Sequence, residues 1–265
     1  MKEAIGFHLH LATLFSLGLQ NKFVAMRPKK FILLFILFAC SFIARAQTAD
    51  EIVNRYIAFI GGVQKWKSVK TITSSGIYNY GGMKFPFTSY SKAPDQYKYI
   101  VSLNGKSFMQ AYDGRQGWRI DGFKNEKKKT ILKDRQATAM ANEADVELES
   151  PFINYHKKGY TILLEGKDTV NNKTCYKIKL IHQNGDTSTF FFDSKDFALV
   201  KKRANSKNTE MDNALLDIFY SDYRITAGMK MPHKIACTSN GQNILHITVK
   251  SIKLNLPMAD SIFKP

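Results

Sequence analysis

The pattern closest to an enzyme nucleophile is Ser89-Tyr90-Ser91-Lys92, a Ser-x-x-Lys sequence. In penicillin-binding enzymes such a serine opens a helix and works beside a Lys-Thr-Gly strand. Here the flanking residues alternate as they do in a strand, and no Lys-Thr-Gly occurs anywhere in the chain. We therefore interpret the match as chance and assign no catalytic residue.

Other catalytic and metal-binding chemistries find no better support. The histidines after residue 46 lack the His-x-x-x-His spacing of a zinc site, and there is no P-loop, G-x-S-x-G or dinucleotide fingerprint. Asp113 precedes Gly114, which favours a turn over a catalytic acid. The acidic run Glu143–Glu149 could hold a cation or a basic partner, but a solvated helix face is the simpler explanation. We predict no metal, no cofactor and no enzymatic activity.

The clearest structural pattern is a β-meander at residues 174–204. Apolar Tyr176, Ile178 and Leu180 alternate with lysines, which is the period of a half-buried strand. Asn184-Gly185 then predicts a tight type I′ hairpin, and residues 187–193 and 197–204 form the next two strands. One face of this meander is apolar and the other basic, so the apolar face must be covered by more protein or by a ligand.

The rest of residues 47–265 extends this pattern to about eleven strands. Three short turns stand out: Gly81-Gly82, Asn104-Gly105 and Asn240-Gly241. A helix precedes the strands at Asp50–Gly62, with Thr48 and Glu51 as a capping box, and a helical segment is inserted at Asp134–Glu149. A long antiparallel sheet with one apolar face curls on itself. The predicted fold is mostly β (α+β), an incomplete antiparallel half-barrel wrapped around the two helical segments.

Strand alternation also selects the residues that would line the open side of a half-barrel. Those assigned to a ligand-binding cavity are Phe85, Phe87, Tyr97, Tyr99, Trp118, Tyr176, Ile178, Leu180, Phe190 and Phe192. Trp118, like Trp66, could instead fill the core, because the core and the cavity of a half-barrel share one wall.

Residues 26–46 have the organisation of a secretory signal peptide. Basic residues are followed by the apolar run Phe31–Ile43 and an Ala44-Arg45-Ala46 cleavage site. This run of 13 residues is too short for a bilayer, which takes about 20. We interpret residues 1–25 as a misassigned upstream start; the rival interpretation is a membrane segment at Ile5–Leu19. These features predict export to the periplasm.

Cys40 offers an alternative form of export. Leu37–Cys40 resembles a lipobox, which would anchor the mature protein through a lipid on Cys40. Phe38 is bulky where a small residue is preferred, so we favour an ordinary signal-peptide cysteine.

The mature chain, residues 47–265, is long enough for one domain with a sizeable core. Removing the six basic and one acidic side chains of residues 1–46 leaves a net charge of +12. In an exported protein this charge points to transient contact with anionic membrane surfaces rather than to nucleic acid. No turn brings Cys175 and Cys237 together, so we expect two free thiols. We expect a monomer.

Three stretches carry a family resemblance: Ala111–Trp118, Phe219–Pro232 and Leu254–Phe263. Together with the leading helix, they resemble the LolA-like outer-membrane lipoprotein-sorting (lipoprotein carrier) family. The resemblance implies an incomplete barrel with an apolar cavity, and a chaperone that carries lipoprotein acyl chains or other lipids between envelope donor and acceptor proteins. The known carriers hold their cavity lid with an arginine on an early strand; residues 69–80 contain none, and the nearest candidates, Arg115 and Arg119, come later by a turn, so no gating residue is assigned. An alternative is a non-catalytic sensing or scaffold module of the same fold that binds a peptide or protein partner.

Overall fold

The computed structural model describes residues 47–133, 136, 137, 140, 150–206 and 214–265. Residues 1–25, the predicted signal peptide with Cys40, and most of the predicted helix at Asp134–Glu149 lie outside the described residues. Gln136, Ala137 and Met140, the described members of that helix, are helical. No helix in the described part of the chain combines the length and the apolar character needed to cross a membrane.

Helix α1 spans Ala49–Phe59, as the sequence predicts. The Thr48 hydroxyl accepts from the Glu51 backbone N–H, and the Glu51 carboxylate accepts from the Thr48 N–H, each at 3.1 Å. This is the predicted capping box, which satisfies two otherwise unpaired donors. Gly61 then has a φ of +115°, a conformation that ends the helix and suits glycine. A short helix α2, Val63–Ser68, follows.

In the described part of the chain, thirteen strands form one antiparallel sheet, which does not close into a barrel. The strands are β1 (Thr71–Tyr80), β2 (Met83–Lys92), β3 (Gln96–Leu103), β4 (Lys106–Tyr112), β5 (Gly117–Asp121), β6 (Thr130–Ile131), β7 (Thr161–Val170), β8 (Lys173–Ile181), β9 (Thr187–Asp193), β10 (Leu199–Asn205), β11 (Leu215–Thr226), β12 (Met229–Ser239) and β13 (Gln242–Leu254). Their order is β6-β5-β4-β3-β2-β1-β13-β12-β11-β10-β9-β8-β7. The mostly β half-barrel is confirmed; the structure has thirteen strands where the sequence predicts about eleven, and the two-residue β6 is one that the sequence does not indicate.

Two meanders therefore meet at one seam, the pairing of β1 with β13. The hairpin turns follow the sequence closely: Asn104 and Gly105 have φ values of 50° and 75°, as a type I′ turn requires. At Asn184-Gly185 the hairpin forms, but only the glycine has a positive φ. The His182 N–H donates to the Asp186 carbonyl at 2.8 Å, so the loop has three residues rather than the predicted two.

The main core lies on one face of the sheet, here called the inner face. Helix α1 packs there through Ile52, Val53 and Tyr56 against β8–β10, and a turn containing Phe152 and Ile153 completes the cluster. All five are buried. The rings of Phe152 and Phe192 meet edge to face at 5.4 Å. Because α1 is amphipathic, its apolar stripe covers the inner face and its polar side stays outside.

The opposite, outer face of β8–β11 is not simply basic, in contrast to the sequence prediction. It carries a second apolar cluster of Val170, Cys175, Phe191 and Val200. Lys201 lies above it, with Nζ 4.0 Å from the centre of the Phe191 ring. The methylene stem of a lysine can cover apolar surface while its ammonium stays near water. A lysine in the sequence therefore does not show that its face of the sheet is polar, and this is why the prediction for the outer face was wrong.

Cys175 on β8 and Cys237 on β12 are buried and unbonded. Four strand spacings separate them in the sheet, a distance of about 19 Å. A disulfide needs Cα atoms within about 7 Å, so the sheet keeps the two thiols apart.

Candidate functional site

The inner face divides into two regions that differ in how they are covered. The packed half is the inner face of β8–β10 beneath α1 and the turn at 152–155. The open half is the inner face of β12, β13 and β1–β5 toward the Gly81-Gly82 turn. Its apolar members are Tyr78, Phe85, Phe87, Val101, Phe108, Ile235 and Ile247, all of which remain partly exposed. Tyr80 and Met83 at its rim are each 53% exposed.

The residues predicted to line a cavity are distributed over several environments. Five of them lie in the packed half and are fully covered by protein: Tyr176, Ile178, Leu180, Phe190 and Phe192. Tyr97 is buried in a small cluster with Leu132 and Met140, and Tyr99 packs at the edge of that cluster. Phe85 and Phe87 lie in the open half. The structure thus brings Phe85, Phe87 and Tyr99 to the partly exposed part of the inner face.

Trp118 is on the other side of the sheet, which corrects its assignment to the cavity. In the register of β4 and β5, Trp118 lies opposite Ala111, whereas Arg119 lies opposite Gln110 and shares the inner face with Tyr99. The turn at Asp113–Gln116 separates the two strands. Because side-chain parity cannot be carried through a turn without knowing the register, the sequence alone could not place Trp118.

A C-terminal strap, residues 255–264, covers Trp118 on the outer face. The indole N–H of Trp118 donates to the Phe263 carbonyl at 2.6 Å, and Phe263 is fully buried. Lys92 and Lys98 donate to the carbonyls of Met258 and Ile262 at 2.7 and 3.0 Å. Burial, together with the charge of Lys129, lowers the pKa of Lys98. The strap is therefore held by side chains that recognise its backbone.

The open half has an ordered arrangement of polar and apolar residues. Its polar row crosses β1–β5 through residues that face one another directly: Ser74, Ser89, Tyr99, Gln110 and Arg119. The adjoining apolar row contains Gly76, Phe87, Val101 and Phe108. Since inner-face neighbours along a strand are about 7 Å apart, the two rows lie side by side. The surface is therefore amphipathic across the strands.

Gly76 is required where the apolar row crosses a β-bulge between β1 and β13. A Cβ atom at this position would lie 2.0 Å from the Thr248 carbonyl oxygen. The side chain of Phe87, from the facing strand, lies over the glycine instead. Bulges bend a strand, so Gly76 permits curvature in the middle of the open half.

Burial in the packed half affects Tyr56 strongly. Its removal from water raises its pKa to about 12, with a smaller opposing effect from a hydrogen bond to Ser150. The ring of Tyr56 lies 4.9 Å from that of Phe192. A buried phenol of this kind is a structural group, since it stays protonated across the physiological range.

The Ser-x-x-Lys match does not form a nucleophile–base pair. Ser89 lies on the inner face of β2, whereas Lys92, three residues later, alternates to the outer face and bonds the strap. Within the described residues, no group of three or more His, Cys, Asp or Glu side chains could hold a metal ion. Cavities of about 440 Å³ and 420 Å³ lie at the ends of strands, and both have mixed polar and apolar walls.

Comparisons with known proteins support the fold. No family model matches the chain, and no curated protein matches it. A DUF1329 family protein from Desulfovibrio piger is 12% identical with a TM-score of 0.55, over 83% of this chain and 98% of that one. A LolA superfamily protein from Nitrosomonas europaea is 13% identical with a TM-score of 0.53, over 83% and 99%. The chain has the LolA-like fold.

A third structure agrees. A putative outer membrane lipoprotein-sorting protein domain from Vibrio parahaemolyticus is 13% identical, with a TM-score of 0.54, over 80% of this chain and 94% of that one. At this level of identity the likeness concerns the fold alone. The resemblance seen in the sequence is thereby confirmed at the level of a LolA-like fold. The open half is the candidate binding surface of this fold.

The sequence analysis missed the strap and the position of Arg119 on the inner face. Alternation within Gly117–Asp121 places Arg119 on the face opposite Trp118, so a correct placement of Trp118 would have revealed it. A buried indole N–H also needs an acceptor, and this was a signal for a covering segment such as the strap.

Proposed function

We propose that this protein is a non-catalytic carrier that binds the acyl chains of lipoproteins or related lipids on its open half. The observation that supports this most directly is the patch of adjoining aromatic and aliphatic side chains on the inner face that remain partly exposed. Soluble proteins rarely leave such a patch uncovered unless it binds something. On the inner side of a half-barrel, such a patch would be concave.

The energetics of acyl binding suit this surface. Each buried methylene contributes about 0.8 kcal/mol, so ten methylenes give about 8 kcal/mol, which corresponds to a dissociation constant near the micromolar range. Such binding requires apolar area and no nucleophile or metal. The polar groups beside the patch would then orient the ligand rather than react with it.

The cellular role that we propose is transfer of lipidated cargo through the periplasm, for outer-membrane lipoprotein sorting. The signal peptide indicated by the sequence supports export, and the net charge of +12 after cleavage would favour brief contact with an anionic membrane surface. Donor and acceptor proteins in the envelope would load and unload the carrier.

Native mass spectrometry tests the proposal. The protein is purified without detergent from the envelope of the expressing cells, and spectra are recorded before and after organic extraction. We expect an adduct of lipid mass that extraction removes. A clean protein mass, combined with failure to take up a fluorescent fatty acid, would overturn the carrier function.

A pair of neighbouring substitutions on β13 tests the location. Ile247 lies on the inner face between Tyr78 and Ile235, whereas Thr248 is exposed on the outer face. Ile247→Asp places a charge in the open half and should weaken fatty-acid uptake at least tenfold. Thr248→Asp, the matched control, should leave uptake unchanged. Equal fatty-acid uptake by both variants would show that the fatty acid binds outside the open half.

One observation favours the alternative, a module that binds a peptide. Among the described residues β7 pairs only with β8, and its Leu163 is 47% exposed. An edge strand of this kind can accept an extended peptide as an additional strand. Peptide binding would become the favoured function if the purified protein carries no lipid and takes up none.

A further inference from the structure

Arg119 lies on the inner face of β5 and is partly exposed. Its Nε atom is buried and makes no hydrogen bond within the described part of the chain. The neighbouring inner-face residue Gln110 accepts instead from the Tyr99 hydroxyl, at 3.2 Å. A buried N–H donor without an acceptor is unfavourable, and in a binding protein this suggests that the acceptor belongs to the ligand.

The acidic groups nearest in sequence are already occupied. Asp121, two residues along the same strand and on the same face, accepts from the backbone N–H groups of Phe123 and Lys124. The Lys124 ammonium lies 3.7 Å from its second carboxylate oxygen. Glu126 accepts from the Asp121 N–H at 3.2 Å. Neither carboxylate neutralises Arg119.

Arg119 also lies at a boundary. It ends the polar row on β5, and Phe108 of the adjoining apolar row lies diagonally across the β4–β5 pair, roughly 7–8 Å away. A ligand whose chain follows the apolar row would therefore place its head over the polar row. The planar fork of arginine is suited to the two oxygens of a carboxylate or phosphate.

We infer that the ligand of the open half is an anionic amphiphile, with a carboxylate or phosphate held by Arg119 and an acyl chain lying on the apolar row. The inference rests on the proposed carrier function and narrows its ligand. A free fatty acid or a phospholipid fits this description better than a lipid without a charged head group.

Displacement of the uncharged fluorophore 1-N-phenylnaphthylamine by dodecanoate and by 1-dodecanol tests the inference. The two ligands share a chain and differ in head group. In Arg119→Gln the dodecanoate midpoint should rise about tenfold, since a charge-assisted contact is lost, while the dodecanol midpoint stays the same. Arg119→Lys, which keeps the charge but loses the fork, should give a smaller rise.

Arg115→Gln is the matched control, because Arg115 is exposed at the Asp113–Gln116 turn; it should change neither midpoint. Equal dodecanoate midpoints for the original protein and Arg119→Gln would overturn the inference and leave the carrier function intact. If neither ligand displaces the fluorophore from the original protein, both the carrier function and the inference fail. Acetate, the head group without its chain, should not displace the fluorophore. Displacement by acetate would show a simple anion site and would overturn the inference that the ligand is an amphiphile.

Discussion

The packed half and the open half of the inner face are built from strands with the same alternation, but among the described residues α1 and the turn at 152–155 cover only the packed half. In the packed half, α1 and Phe152 fill the space over Phe190 and Phe192, and these aromatic side chains are buried. In the open half, Phe85 and Phe87 remain partly exposed. Alternation thus specifies which residues share a face, whereas the covering elements decide whether that face becomes core or binding surface.

The largest effect expected from this comparison is on stability. Phe192→Ala should lower the free energy of unfolding by about 3–5 kcal/mol, because it leaves a cavity in a closed core. Phe87→Ala, its counterpart in the open half, should cost about 1–2 kcal/mol, because its side chain is already partly in water. Urea unfolding of both variants measures the difference. Equal losses would mean that the open half is packed as tightly as the core.

A slightly smaller effect on the free energy of unfolding is expected at high pH, where Tyr56 in the packed half titrates. The pKa of Tyr56 is raised to about 12 in the folded state, above its value of about 10 in the unfolded chain. The folded protein keeps this proton when the unfolded chain loses it, so stability is retained below pH 10 and falls as the pH rises toward 12. The contribution is about 3 kcal/mol. Tyr56→Phe should lack this part of the fall, measured as the difference in unfolding free energy between pH 8 and pH 12; an identical fall in both proteins would contradict it.

The smallest effect concerns the helix that covers the packed half. Thr48→Ala removes the cap of α1 and should cost about 1 kcal/mol. Glu51→Gln, the control, keeps a side chain that can complete the capping box and should cost less. Hydrogen exchange should accelerate in α1 and leave β1–β5 unchanged. Faster exchange across β1–β5 would show that the two halves are not independent.

The sequence predicts the scaffold well because its signals are local. The capping box at Thr48 and Glu51, and the turn at Asn104-Gly105, depend on a few adjacent residues, and the structure contains both. Strand parity also predicted that Tyr176 and Ile178 share a face. These interactions need no knowledge of what lies elsewhere in the chain.

The candidate site was harder to predict because it depends on distant contacts. Phe190 and Phe87 have similar sequence environments, but α1 reaches only Phe190. Trp118 was misplaced because its register is set by the pairing of β4 and β5, and its acceptor, Phe263, comes from the strap. The face on which Arg119 lies could not be predicted for the same reason. Long-range pairing, rather than local propensity, decides these positions.

The seam between β1 and β13 constrains the order in which this protein can assemble. Each meander consists of hairpins between consecutive strands, which form quickly because their loops are short. Ile72, however, pairs with Leu254, so β1 cannot complete its hydrogen bonding until nearly the whole chain has emerged. Until then β1 presents a free edge that could pair with another molecule. A chain that stays unfolded until β13 is present would avoid this, so the seam favours folding after the whole chain has been made, with the late pairing of β13 as the slow step.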